Sequence, residues 1–337
     1  MRFALWDHCG KGAYLHQQML AAGHEAAPTL ADAELLLIDC DWAWAHPRPE
    51  LIKAAAESGA RIVLYPHGGL PTTFVYDGLT KPDPLVDLRL EHGQASIDAA
   101  DQLGLELHQE APGWLYGPTA PFQSVADPVK VLFAPQHPNM EMLLNGTNGH
   151  DPGPKANQAV YQALIQSGFK ITVSVVGPLW KNGIYPHPNV TLISNHQMLF
   201  AVGLQLVAEA DVVIGAGTMA ACGVALGKPT IMVGQGHYAD YLNGRYVQPD
   251  HLEIYDDLFR YPLDANEGDL EDLIGRACAG DHDATEWRER HIGDDGTKAS
   301  VELIGGLAGA TASSSSNVIM EGVTAISGAA PGQEEGE

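Results

Sequence analysis

The sequence predicts an α/β fold made of two Rossmann-like units that face each other across a cleft. Short apolar runs alternate with helical segments in the first part of the chain, and the alternation starts again at Val129. Such alternation indicates parallel sheets that are covered by helices on both faces. A proline-rich stretch, Gly113–Pro128, separates the two parts and is typical of an interdomain linker.

The first unit is predicted from apolar strands and from helices that end at a glycine. One helix, Pro49–Ser58, has proline at its start and Gly59 just past its end, which is the usual asymmetry of helix termini. The predicted strands are Arg2–Trp6, Leu35–Asp39 and Arg61–Tyr65, and the other predicted helices are Ala13–Ala22 and Gln94–Leu105.

The second unit repeats this pattern. Its predicted strands are Val129–Ala134, Lys170–Val176, Val190–Ile193, Asp211–Ile214 and Thr230–Val233, and its predicted helices are Asn157–Ser167, Met198–Ala208 and a segment of small residues after Gly215. We therefore assign residues 1–126 to an N-terminal Rossmann-like domain and 127–307 to a C-terminal Rossmann-like domain. The remainder, 308–337, is small, polar and acidic at its end, and we expect a disordered tail there.

Composition limits the partners of this chain. A formal net charge of -24 disfavours nucleic acid, because affinity for a polyanion depends on lysine and arginine. The four cysteines follow neither a zinc-ligand nor a disulfide spacing, and they indicate reduced thiols. The N-terminus does not resemble a signal peptide, and no apolar run reaches the length of about 18 residues that a membrane span requires. We expect a cytoplasmic protein without a membrane span.

The strongest motif is the turn between the strand Asp211–Ile214 and the helix after it. Gly215, Gly217, Thr218 and Met219 lie in this turn, where amide groups at a helix start attract a phosphate. The turn matches the G-x-G-x-x-A fingerprint of dinucleotide-binding units. However, the strand Thr230–Val233 is followed by Gly-Gln-Gly and not by the acid that holds a nicotinamide ribose, which disfavours a dehydrogenase.

Polar residues follow three other predicted strands, at the edge where ligands of such sheets bind. Asp7 and His8 follow the first strand, His67 the third, and His137 the strand that opens the second unit. Histidine can accept a proton from an attacking hydroxyl because its pKa lies near neutrality, although it can also simply cap a turn. The histidines show no metal-ligand spacing, so we predict no metal site.

These motifs resemble the GT-B glycosyltransferases. The likeness rests on the two Rossmann-like halves, the His67-Gly68 pair and the pattern A-D-x-x-I followed by Gly227-Lys228-Pro229. Within that group the chain is most similar to the CDP-glycerol glycerophosphotransferase and UDP-N-acetylglucosamine 2-epimerase-like branches. Two segments carry this closer likeness: Val131–Pro135 and Asp294–Ser300.

The resemblance implies roles for several residues. His67 would be the catalytic base, with Asp7 or His8 as the substitute, and His137 would lie near the donor phosphates. The turn at Gly217, Thr218 and Met219 would bind the donor diphosphate. Many members of the group have an acidic residue where this chain has Cys222 or Gly223. We therefore expect that the donor is held differently here, or that donor use is altered or lost.

The function expected from the sequence is a metal-independent transfer that requires no cofactor. A sugar or polyol phosphate would move from a nucleotide diphosphate donor, which is itself a substrate, to the hydroxyl of an unidentified acceptor. Two alternatives remain open at this stage. One is a nucleotide-sugar epimerase or hydrolase on the same fold, and the other is a catalytically degenerate module that only binds a nucleotide.

Overall fold

A computed structural model describes most of both predicted units. The described residues are 1–6, 12–40, 49–66, 86–90, 113–134, 153–175, 184–194, 200–215, 217–232, 259–260, 267–280, 288–289 and 292–309. Within these ranges the chain forms one five-stranded sheet and one six-stranded sheet, each with all its strands parallel. The fold class predicted from the sequence is confirmed.

The first sheet is built from the N-terminal part of the chain. Its strands are β1 (Arg2–Trp6), β2 (Glu25–Ala26), β3 (Leu35–Cys40), β4 (Arg61–Pro66) and β5 (Leu88–Arg89), and its helices are α1 (Ala13–Ala21) and α2 (Pro49–Ser58). The strand order β2-β1-β3-β4-β5 reverses direction between β1 and β3. In doubly wound sheets the crevice at such a reversal, at the carboxyl ends of the strands, is where ligands bind.

The second sheet contains the later strands. The strands are β6 (Lys130–Ala134), β7 (Lys170–Val175), β8 (Val190–Ser194), β9 (Val212–Gly215), β10 (Thr230–Met232) and β11 (Phe259–Arg260). The helices of this part of the chain are α3 (Gly153–Gln166), α4 (Phe200–Glu209), α5 (Gly217–Ala225), α6 (Glu267–Ala279) and α7 (Thr297–Gly309). The order β11-β10-β9-β6-β7-β8 is that of a dinucleotide-binding Rossmann sheet, with its reversal between β6 and β9.

Alternation along the central strands supplies apolar side chains to both faces of the second sheet. Val131 and Phe133 pack in a cluster with α3 and α6, whereas Leu132 lies in a cluster with α4 and α5. Both faces are therefore buried, which is why β6 and β9 read as continuous apolar runs in the sequence. No helix of the described part of the chain is long and apolar enough to cross a membrane.

The two units are joined by one continuous apolar cluster. Side chains of the first sheet and of α1 share this cluster with Val207 of α4 and with Val301 and Ile304 of α7. The last helix thus packs on α1, although it follows the second unit in sequence. It ends at Gly309, so the first two residues of the predicted tail are helical, and the rest of the tail lies outside the described residues. The domain boundaries stay a prediction.

Candidate functional site

The best-defined candidate site lies at the reversal of strand order in the second sheet. Ala134 at the end of β6 is the register partner of Gly215 at the end of β9. A Cβ atom on Gly215 would lie 2.8 Å from the carbonyl oxygen of Ala134, so a larger residue would push the two strand ends apart. Glycine at 215 is thus required by strand packing, and β6 and β9 end side by side.

The helix α5 begins two residues after this close contact. Its first three residues are Gly217, Thr218 and Met219, whose amide groups have no carbonyl partner within the helix. The first turn carries no acidic side chain that would neutralise the helix dipole. These amides lie at the carboxyl edge of the sheet, where a Rossmann unit holds a phosphate. The fold therefore places a helix start at the turn that the sequence predicted, and its role in binding an anion stays a prediction.

Three of the predicted phosphate-binding residues offer main chain and not side chains. Met219 is partly buried in the apolar cluster, and a Cβ on Gly203 of α4 would lie 2.8 Å from its sulfur. The Met219 thioether thus faces α4, and its amide is the group that remains for a ligand. Gly215 and Gly217 have no side chain to offer. At these three positions a ligand could therefore contact only the main chain.

The two positions where the resemblance expects an acid are buried in the structure. Cys222 is fully buried, and Gly223 packs directly on the sheet. A Cβ on Gly223 would lie 2.5 Å from the hydroxyl oxygen of Thr230 and 3.1 Å from the Cβ of Val213. A carboxylate at 223 would enter the interface between α5 and the sheet, and one at 222 would be buried in the apolar cluster. The lack of acid at Cys222 and Gly223 therefore follows from packing, and it is not evidence that donor use is lost.

Other residues of the quoted motifs have structural roles. The carboxylate of Asp211 accepts hydrogen bonds from the amides of Val129 and Lys130, both at 2.9 Å, and so fixes the start of β6. These bonds lower the pKa of Asp211, against the opposing effect of desolvation by burial. The ammonium of Lys228 donates to the carbonyl oxygen of Ala208 at 3.0 Å. These two motif residues hold strands and helices together, away from the anion site.

Gly227 of the G-K-P motif ends α5 in a left-handed conformation, with φ of +67°. A Cβ there would also overlap the carbonyl oxygen of Pro121 in the interdomain segment. The amide of Gln123 donates to the carbonyl oxygen of Gly227 at 2.9 Å. Glycine at 227 is therefore needed for the backbone conformation and for the close passage of the linker.

The segment Asp294–Ser300 joins the two units. The amide of Thr297 donates to the Asp295 carboxylate at 2.9 Å, which caps α7, and the Tyr14 hydroxyl of α1 donates to the same carboxylate at 3.1 Å. Partial burial, together with the nearby Asp295 charge, raises the pKa of Tyr14 to about 12. Trp114 of the linker exchanges main-chain hydrogen bonds with Asp294 and Gly296. The sequence prediction missed this junction, although Asp before Gly-Thr is a typical helix-cap signal.

The predicted catalytic residues cannot be placed by the structure. Asp7, His8, His67 and His137 lie outside the described residues. Their neighbours in sequence, Trp6, Pro66 and Ala134, are described and end β1, β4 and β6. Within the described ranges, no group of three or more His, Cys, Asp and Glu side chains could hold a metal ion. The roles of these four residues stay predictions.

Comparison with solved structures identifies the fold. The glycosyltransferase SnogD from Streptomyces nogalater aligns over 92% of this chain and 100% of its own, at 13% identity and a TM-score of 0.53. MurG of Acinetobacter baumannii aligns over 90% of this chain and 99% of its own, at 13% identity and a TM-score of 0.48. A co-structure of S. aureus MnaA with UDP aligns over 91% of this chain and 96% of its own, at 10% identity and a TM-score of 0.48.

Sequence comparison adds no closer assignment. No protein-family model matches the chain, and no curated protein has a significantly similar sequence. The assignment therefore depends on the two parallel sheets, their strand orders and the alignment with SnogD over nearly the whole of both chains. The protein has the GT-B fold.

Proposed function

We propose that this protein transfers a sugar or polyol phosphate from a nucleotide diphosphate donor to an acceptor hydroxyl. The observation that carries the proposal is the start of α5, whose first amides have no partner within the helix and lie beside the paired ends of β6 and β9. The GT-B fold shared with the glycosyltransferase SnogD supports it. The donor is a substrate, and the proposed reaction uses neither a cofactor nor a metal ion.

The proposed chemistry assigns one task to each edge of the cleft. The imidazole of His67 takes the proton of the acceptor hydroxyl, whose oxygen forms the new bond to the transferred group. The bond from that group to the donor phosphate breaks, and the nucleotide part leaves with the electron pair. The amides of Gly217–Met219 bind the departing phosphate as its charge grows. A helix start stabilises a charge by about 0.3–2 kcal/mol, so several amides must act together.

One structural observation bears on the alternative of a degenerate module that binds a nucleotide without transferring a group. The argument for degeneracy was the missing acid at Cys222 and Gly223. Both positions are buried, and Gly223 lies directly against the sheet, so packing accounts for the lack of an acid there. With that argument removed, no feature of the described residues favours binding without transfer.

The test places a charge at the start of α5. Thr218→Asp puts a carboxylate in the first turn, where it satisfies the helix dipole and repels a diphosphate. Two unit charges about 4 Å apart interact by about 1–4 kcal/mol at effective dielectric constants between those of water and a protein surface. Affinity should therefore fall by about five-fold to a thousand-fold. The measurement is calorimetric titration with UDP, CDP, GDP and TDP.

The matched control is Ala299→Asp, which adds the same carboxylate to the first turn of α7. Ala299 is exposed, and that turn, like the first turn of α5, contains no acidic residue. Ala299→Asp should bind the same nucleotide with unchanged affinity. Full nucleotide affinity in Thr218→Asp would refute a site at α5, and equal losses in both variants would show a general effect of added negative charge.

A further inference from the structure

A cavity of about 640 Å³ lies at the opposite edge of the second sheet from the start of α5. It is open to solvent and is lined by α4 and by the first residues of β6, β7 and β8. Its polar lining comprises Lys130, Lys170, Thr172, Asn189, Thr191 and Glu209. Its volume is within the usual range for small-molecule sites. Because β6 rises about 13 Å between Lys130 and Ala134, this cavity is distinct from the proposed donor site.

Two lysines stand directly beside each other in this cavity. Lys130 and Lys170 are register partners on the neighbouring strands β6 and β7, and both line the cavity. Like charges at directly paired positions destabilise a sheet. Among the described residues neither lysine has a carboxylate within ion-pair distance. The pair is notable in a chain of net charge -24, where lysine and arginine together number 18 against 42 acids.

Two carboxylates lie near the lysines. The Glu209 carboxylate accepts a hydrogen bond from the Gln205 side-chain amide at 2.9 Å. The Asp211 carboxylate accepts hydrogen bonds from the amides of Val129 and Lys130, and it also interacts electrostatically with the Lys130 ammonium group. The Lys130 and Lys170 ammonium groups are the cationic groups of this lining.

Hydroxyl and amide groups continue the polar lining beyond the lysines. Thr172 and Thr191 are register partners on β7 and β8, one step along the same face as Lys130 and Lys170. This face carries apolar Leu132 on β6 but threonine on β7 and on the edge strand β8. Threonine and asparagine can exchange hydrogen bonds with hydroxyl groups of a ligand.

We propose that this cavity binds a small organic phosphate that carries hydroxyl groups. The phosphate contacts Lys130 and Lys170, since ammonium groups bind phosphate through charge-assisted hydrogen bonds. The hydroxyl groups contact Thr172, Thr191 and Asn189. Binding relieves the repulsion between the paired lysines. The proposal does not depend on the transfer reaction, because no residue of this cavity belongs to the donor edge.

The experiment titrates the full chain with glycerol 3-phosphate while amide chemical shifts are recorded. We expect saturable shifts at Thr172 and Thr191, distinct from any shifts at Gly217 and Met219. The double variant Lys130→Gln/Lys170→Gln should weaken this binding by about tenfold or more, given the usual strength of hydrogen bonds to charged groups. The control Lys53→Gln removes an exposed lysine of α2 and should leave the affinity unchanged.

Two further titrations separate the parts of the ligand. Glycerol should not bind, and inorganic phosphate should bind more weakly than glycerol 3-phosphate. The absence of saturable shifts at Thr172 and Thr191, or equal affinity in the double variant, would overturn the proposal. The proposal would also be overturned if glycerol or inorganic phosphate bound as tightly as glycerol 3-phosphate. The melting temperature of Lys170→Gln is also measured in phosphate-free buffer. A value equal to or above that of the parent supports the proposal, whereas a lower value would show that Lys170 has a structural role instead.

Discussion

Restoring an acid at Gly223 tests whether this position faces the donor or the core. Gly223→Asp would bring a Cβ to 2.5 Å from the Thr230 hydroxyl oxygen and 3.1 Å from the Val213 Cβ, and would bury a carboxyl group behind α5. Overpacking a core costs about 1–3 kcal/mol. A buried carboxyl group without partners costs several kcal/mol more, even if it takes up a proton. We expect a total loss of about 3–5 kcal/mol in the free energy of unfolding.

The matched control is Gly275→Asp in α6. Gly275 is exposed, and a Cβ there would meet no atom within 4 Å. Surface substitutions of this kind change stability by about 0.5 kcal/mol or less. The assay is urea unfolding followed by circular dichroism, with nucleotide affinity measured on the same samples. A Gly223→Asp variant as stable as the parent, with tighter nucleotide binding, would show that the position faces the cleft.

Two further predictions concern catalysis and acid stability. His67→Ala should lower the turnover of donor with acceptor by about a hundred-fold to ten-thousand-fold, while nucleotide affinity stays unchanged. His24→Ala is the control. An unchanged turnover in His67→Ala would remove His67 from the mechanism. Asp211→Asn should lower the melting temperature at pH 7, because the charged carboxylate fixes the start of β6. Because folding lowers the pKa of Asp211, its contribution to stability is complete above pH 3.8 and is lost as the pH falls through the folded pKa. The difference in melting temperature between variant and parent should therefore disappear at low pH, and a difference of equal size at all pH values would contradict this. The control Asp272→Asn, at an exposed position, should show no difference.

Local sequence determined most strands and helices, because apolar periodicity and terminal glycines act over a few residues. The two-residue strands β2, β5 and β11 and the helices α6 and α7 were not predicted. The helix Pro49–Ser58 agrees residue for residue, and the turn at Gly215 was found from its glycines. The helix α7 was missed because Gly305 and Gly306 in its interior are poor helix formers. Its Val301 and Ile304 are buried against the first unit, and this tertiary packing stabilises the helix.

Only the tertiary structure decided what several motif residues do. The sequence could not show that Ala134 and Gly215 are register partners, because strand order depends on crossovers between distant segments. For the same reason it could not distinguish Cys222 and Gly223, which are buried, from the amides at the start of α5, which lie at the carboxyl edge of the sheet. A helix has a core side and a solvent side only once other elements are packed against it. The sequence alone determined that a glycine-rich turn precedes a helix, and the packing of α5 determined which of its residues are buried in the core.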